Sequence, residues 1–455
     1  MSGQAASGGG AEERALAVVE GAEAARAGVL RRRPLASPEL PAPVRERIRE
    51  VLGEELDAAS CVARIIADVE REGDAAVVRY SRAFDGSAEA PLEVTRAEIA
   101  TALEETPPDL LEALRFMTER VRRFHELQLD HGPKPFTRHG LGMRVTPLAS
   151  AGIYMAGSVA VLPSSVIHTA VPAAVAGVGE LVGATAALPD GSVHPLKLAA
   201  AELAGVSRVV RASGAQAIAA LALGTESIPR VDIVVGPGNL FVTLAKQQLY
   251  GRVGIDSLYG PTETLVLSDG SAAADLVAAD LLAQAEHDAL ATPILITTDR
   301  EQARAVAEEV DRQLPSLERE AIARAAIGRG GAVVAADLEQ ALALANEFAP
   351  EHLCLLTREP ERLAPLVTSA GGLFLGETTP EVIGDYTAGP SHVMPTGGSA
   401  RFASPLTVLD FLRVTSTVAL SESDVYRLGT YAATLARAEG LTAHARAVEL
   451  RLEGR

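Results

Sequence analysis

The sequence predicts an α/β protein of two parallel-sheet modules in series, with small helical units at the N- and C-termini. Three observations predict it. From about Met143 to Leu375, short β-branched runs alternate with helical runs, and such alternation implies parallel sheets covered by helices on both faces. Before that stretch, from Pro43 to about Leu127, apolar residues recur at spacings of three and four, and from Ser423 to Leu452 the pattern is again helical. Finally, 455 residues, 48% hydrophobic and 22% charged, suffice for roughly two to four domains and exclude a disordered chain.

Taken in order, residues 1 to about 40 open with Gly, Ala and Ser, pass through a short helical pattern and close on Arg31, Arg32, Arg33 and Pro34, which reads as an arm. Val62, Ile65, Ile66 and Val69, then Leu110, Leu111, Leu114 and Phe116, mark amphipathic helices. Pro107 and Pro108 stand where a helix should begin, since the fixed φ of proline suits a first turn. In the first module, strands are expected at 143–145, 181–184, 208–211 and 232–235, with helices starting near Ser164, His194, Gly214 and Asn239. In the second, strands are expected at 264–267, 294–297, 332–335, 353–356 and 373–375, with helices between them such as 272–286. A cleft is expected between the modules, with ligands at the carboxyl ends of the strands.

The balance of 59 acidic against 41 basic side chains gives a net charge of −18. A field of that sign repels phosphate backbones and anionic headgroups, so neither nucleic acid nor a membrane surface is an expected partner. The most apolar stretch, 170–189, is interrupted by Pro172, Gly177, Gly179, Glu180 and Gly183, which disqualifies it as a span of about 20 apolar residues. The N-terminus has neither the basic cluster nor the apolar core of a signal peptide, so a cytoplasmic location is expected. Cys61 and Cys354 are the two cysteines, and their spacing supports neither a disulfide framework nor a thiolate zinc site.

Of nine histidines, His125, His131 and His139 read as solvated, His194 as a capping or turn residue and His168 as a packing residue. The other four sit in richer company. Gln284 and His287 fall one turn apart on one face of a helix end, a spacing that can hold a metal ion or be an ordinary helix terminus. Glu351 and His352 stand between Pro350 and a strand, as two adjacent proton acceptors or as a surface ion pair. Residues 384–396 gather Asp385, Tyr386, Ser391 and His392 among two glycines and two prolines, the texture of a functional loop. Glu439 and His444 flank the break Gly440-Leu441-Thr442. Ser213-Gly214-Ala215-Gln216 and Val235-Gly236-Pro237-Gly238-Asn239 are Gly-containing turns opening helices, which can present N–H groups to a phosphate or ribose. Neither is G-x-G-x-x-G, and no P-loop or H-E-x-x-H occurs.

Together, Gly152-Ile153-Tyr154, the run 214–221, Val235-Gly236-Pro237-Gly238-Asn239, Gln284-Ala285-Glu286-His287, Ala349-Pro350-Glu351-His352-Leu353, Gly384-Asp385-Tyr386 and the run 439–444 resemble the histidinol dehydrogenase family, in order over roughly residues 45 to 450. The resemblance implies zinc-dependent oxidation of L-histidinol through L-histidinal to L-histidine with two NAD, the last step of histidine biosynthesis. It implies Gln284, His287, Asp385 and His444 as zinc ligands, and Glu351 and His352 as the acid/base pair. Thr262, His392 and Glu439 would join the metal ligands and His352 in contacting the substrate, while Tyr154, Gln216 and Asn239 would contact NAD. It further implies a homodimer in which Glu439 and His444 complete the neighbour's site. The corresponding domains are an arm, 1–42; a discontinuous α/β domain, 43–150 and 262–405, carrying zinc and the catalytic residues; a Rossmann-like NAD domain, 151–261, lacking the usual fingerprint; and a helical unit, 406–455. Departures from the family's pattern are Ala156-Gly157-Ser158 for Pro-Gly-Gly, Leu223 for tyrosine, Ser391 for asparagine, Met394 for leucine and Thr262 for serine. The alternative is a sister NAD-dependent zinc dehydrogenase acting on another small alcohol, such as a sulfonated diol. Glu439 would repel a sulfonate and suits the cationic amine of histidinol.

Overall fold

The computed structural model describes residues 14–32, 40–86, 90–157 and 161–453. Ser158 and most of the Gly-rich start of the arm lie outside the described residues, as do Arg33 and Pro34. Two parallel sheets dominate. One has six strands in the order Val18–Glu20, Gly331–Val334, Thr292–Thr297, Glu263–Ser268, His352–Leu356 and Gly372–Leu375. The other has five, in the order Arg208–Arg211, Glu180–Thr185, Ser150–Tyr154, Ile233–Val235 and Gly254–Ile255. In both, alternate residues feed separate cores on opposite faces. Val266, Leu295 and Cys354 meet the helices Ala274–Ala285 and Arg300–Gln313, whereas Leu265, Ile294 and Leu353 meet the helix Leu338–Phe348. Alternation of this kind between two buried faces is what a strand covered on both sides requires.

Every strand expected from the β-branched runs is present, and four features differ. Ser150–Tyr154, central in the five-stranded sheet, has no β-branched run; Gly152 stands in it because a Cβ there would come within 3.0 Å of Leu221. The expected strand 143–145 belongs to a third sheet, antiparallel, in which Leu141–Pro147 pairs with Phe136–Arg138 and with Leu412–Val418. The arm contributes an edge strand, Val18–Glu20, parallel to Gly331–Val334, and the buried Leu16 and Ala25 anchor it. Lastly, the grouping of residues 43–150 with 262–405 departs from the packing. Cys61, Val62, Ile65 and Val69 bury against Val182 and Val210, and Leu114, Met117 and Val121 share a core with Ile153 and Ile167, so these helices cover the five-stranded sheet.

The helices Glu422–Ala438 and Thr442–Leu452 pack chiefly on each other and leave Tyr426, Tyr431, Leu435 and Leu450 exposed. No helix among the described residues is long and apolar enough to cross a membrane. His131 and His139 are exposed, but His125, expected to be solvated, is fully buried with Nδ1 2.9 Å from the Val121 carbonyl. Its helix, Pro108–His131, is covered there by the core of the five-stranded module, which a charged local sequence does not reveal.

Candidate active site

Thr262 immediately precedes the strand Glu263–Ser268, and Glu351 immediately precedes His352–Leu356; His352 and Thr264 are in register. These side chains therefore stand at the amino ends of the six-stranded sheet, in keeping with the position of Glu351 and His352 at a strand's start and opposite to the carboxyl ends where ligands of such sheets are generally expected. Helix direction explains the placement. The helix Ala274–Ala285 leaves the carboxyl end of Glu263–Ser268 and runs back, so its last turn brings Gln284 and then His287 to the amino edge.

Glu351 and His352 are both buried. Glu351 Oε2 lies 2.6 Å from the Thr262 hydroxyl and accepts the Glu263 N–H at 3.1 Å. His352 Nδ1 lies 3.2 Å from the Glu263 carbonyl oxygen, the geometry of a protonated Nδ1 donating to the backbone. That leaves Nε2 facing Asp385 Oδ1 at 3.1 Å and Gln284 Nε2 at 3.4 Å, while Phe374 stacks on the ring. Burial pushes the Glu351 carboxyl up to about 7. For His352 burial alone would lower the pKa, but the carboxylates of Asp385 and Glu351 outweigh it and hold the ring at about 10. Gln284 also lies 3.3 Å from Asp385 Oδ2 and 3.1 Å from the Thr262 hydroxyl. Thus Thr262, Gln284, Glu351, His352 and Asp385 form one connected cluster.

His392 ties this cluster to the other module. Its Nδ1 lies 2.7 Å from the Asp385 carbonyl oxygen, its Nε2 3.1 Å from Ser165 Oγ, and its ring stacks on His168 at 4.3 Å. His168, expected only to pack, also accepts the His392 N–H through Nδ1 and faces the Tyr386 carbonyl through Nε2. Glu381 carries no motif, yet its fully buried carboxyl accepts the Thr264 hydroxyl at 2.6 Å behind the cluster, and burial pushes it up to about 7. His194 is the expected cap, accepting the Leu196 N–H.

Tyr154, Gln216 and Asn239 line a cavity of about 740 Å³ at the carboxyl ends of the five-stranded sheet, a size in the range of ligand pockets. The Tyr154 hydroxyl accepts the Gly214 N–H at 3.1 Å, and burial pushes its pKa up to about 12. Gln216 is buried and its amide nitrogen lacks a partner among the described residues. Asn239 caps its helix by accepting from the N–H groups of Phe241 and Val242. The turn before it is pinned by the buried pair Lys246 and Asp256, which hold the Gly236 carbonyl and N–H respectively. Gly236 has φ +114°, and a Cβ there would stand 2.6 Å from the Tyr154 carbonyl oxygen. Also unmarked by any motif is Lys197, a buried ammonium in the same cavity. It donates to the carbonyls of Met155 and Gly157 and to Thr185 Oγ1, with no carboxylate partner among the described residues.

A family model for histidinol dehydrogenase matches residues 49–452. The chain is 50% identical over 447 residues to the histidinol dehydrogenase of Deinococcus radiodurans, covering 96% of this chain and all of that one. It belongs to the histidinol dehydrogenase family. It is therefore a dehydrogenase, an oxidoreductase. The histidinol dehydrogenase of Geobacter sulfurreducens is also 50% identical, over 86% of this chain and 92% of its own length. A crystal structure of histidinol dehydrogenase from Elizabethkingia anophelis superposes with a TM-score of 0.88 at 31% identity, covering 97% of this chain and 99% of that one.

Within one chain of this histidinol dehydrogenase family member, the expected zinc ligands are not all brought together. Gln284 and Asp385 touch, and His287 follows at the same helix end. Glu439 and His444 are exposed on the C-terminal helical pair, and no hydrogen bond joins them to the cluster among the described residues. Among the described residues, no three His, Cys, Asp or Glu side chains form a metal cluster.

Proposed function

We propose that this chain oxidises L-histidinol through L-histidinal to L-histidine with two NAD, completing histidine biosynthesis, in a zinc-dependent site shared between two subunits. The observation that carries the reading is the connected cluster of Thr262, Gln284, Glu351, His352 and Asp385 at one sheet edge. An amide oxygen, a carboxylate and imidazoles are a donor set that suits zinc, so the residues fit the ion when Gln284, His287 and Asp385 are joined by the partner subunit's His444. The apolar side chains left exposed on the C-terminal helices support a covering partner. Bound there, zinc would polarise the substrate oxygen and stabilise negative charge developing on it.

His352 is the base for the alcohol proton. Its Nδ1 is fixed on the Glu263 carbonyl, so Nε2 is the nitrogen aimed into the site. With Asp385 engaged by a cation, the hold that keeps this ring protonated weakens and Nε2 can accept. Glu351 takes a proton from the water that hydrates the aldehyde, and burial places its pKa where both forms are accessible near neutrality. Glu439 of the partner subunit would meet the substrate ammonium, and Thr262 and His392 would order the substrate in the cleft. The large cavity takes NAD, and the open amide of Gln216 offers it a donor.

Two outcomes follow from these groups. A raised carboxyl pKa means that the carboxylate form appears only above it, so oxidation of histidinal should rise through about pH 7. In Glu351→Gln that limb should vanish from the pH profile of the second half-reaction. Burial lowers the Lys197 pKa to about 8, leaving it mostly charged at neutral pH and able to attract the cofactor's phosphates. Lys197→Met should raise the KM for NAD about tenfold with kcat little changed, the loss of one charge-assisted contact; cofactor titration of initial rates checks it.

A further inference from the structure

We propose that Arg32, at the end of the N-terminal arm, is a positioning residue for the acid/base pair. The inference rests on the acid/base reading of Glu351 and His352. Ala349 adopts φ +53°, a left-handed conformation that non-glycine residues rarely take, and it is followed directly by Pro350, Glu351 and His352. A strained turn persists when its surroundings over-determine it, and Arg32 supplies that restraint. Its guanidinium donates to the carbonyl oxygens of Phe348 and, at 3.1 Å, Ala349, and lies over the Phe348 ring with Cζ 3.8 Å from the centroid.

The same guanidinium pairs with the buried carboxylate of Glu263. Glu263 is the residue whose backbone fixes both members of the acid/base pair, its N–H on Glu351 and its carbonyl on His352. Arg32 therefore clasps the two segments whose relative position sets the aim of Glu351 and His352. A planar fork of donors can span these acceptors, which a single ammonium cannot. Space has been left for it, since a Cβ on Gly398 would come within 3.1 Å of Arg32 Nε. The arm is held independently by the strand pairing of Val18–Glu20 and by the exposed pair Arg26 and Glu347. Residue 32 precedes the region matched by the family model, 49–452.

The test compares wild type, Arg32→Ala, Arg32→Lys and Arg26→Met in dimeric, zinc-loaded protein oxidising L-histidinol. Arg32→Ala should lower kcat about 10- to 100-fold, the usual cost of misplacing reacting groups by about an ångström, with the KM for NAD within twofold of wild type. Guanidinium ion at sub-denaturing concentration should restore part of that kcat, and Arg32→Lys should restore less than half. Arg26→Met, which touches only the exposed side of the arm, should match wild type. A kcat for Arg32→Ala within twofold of wild type overturns the inference, as does an equal loss in Arg26→Met, which would make the arm merely structural. If Arg32→Ala does not fold, Arg32→Lys decides, and wild-type kcat there overturns it. A wild-type enzyme inactive on L-histidinol would instead overturn the functional reading beneath it.

Discussion

His352→Asn is expected to abolish oxidation of L-histidinol, lowering kcat by about 10³-fold, within the range for loss of a positioned general base, while zinc content stays at the wild-type level. The asparagine amide can still donate to the Glu263 carbonyl, as Nδ1 does at 3.2 Å, so the start of the strand should keep its place. What disappears is Nε2, the nitrogen that faces Asp385 and Gln284 and takes the alcohol proton. Because His352 is not among the proposed metal ligands, metal analysis of the variant should match wild type. Full retention of turnover would show that the proton leaves by another route.

The second large effect lies in the C-terminal helices. His444→Ala should lose zinc and with it nearly all activity, although among the described residues no hydrogen bond joins the exposed His444 to the cluster of its own chain. A mixture of Glu351→Gln and His444→Ala chains should recover roughly a quarter of wild-type activity, since half the dimers are mixed and each then contains one intact site. Each variant alone should form histidine from histidinol far more slowly than the mixture. Wild-type zinc content in His444→Ala would refute the ligand assignment, and absence of recovery in re-equilibrated mixtures would place both groups in the same subunit's site.

The parallel strands were legible because Val, Ile and Leu runs buried on both faces announce themselves, as in 208–211 and 294–297. Ser150–Tyr154 was not, since its close approach to Leu221 demands glycine, which weakens the local strand pattern. The antiparallel pairing of Leu141–Pro147 with Leu412–Val418 joins segments far apart in sequence, and no local period encodes it. At the site, Glu351 and His352 were identifiable at a strand's start, whereas the meeting of Gln284 and His287 with them at that edge was not, because the return path of the helix Ala274–Ala285 decides it. Residues that lie behind the cluster left no mark at all. Arg32 sits in a basic run that reads as an arm, Glu381 opens the short helix Glu381–Ile383 that no pattern marks, and His168 lies in a helix so uniformly buried that no face stands out.

The most direct test of the central claim is the stoichiometry of a single assay, in which purified, zinc-loaded protein is given L-histidinol and NAD while NADH and L-histidine are followed together. Two NADH for each histidine, without free histidinal accumulating, is the expected result. No turnover of L-histidinol, with NADH formed instead from another small alcohol, would contradict it.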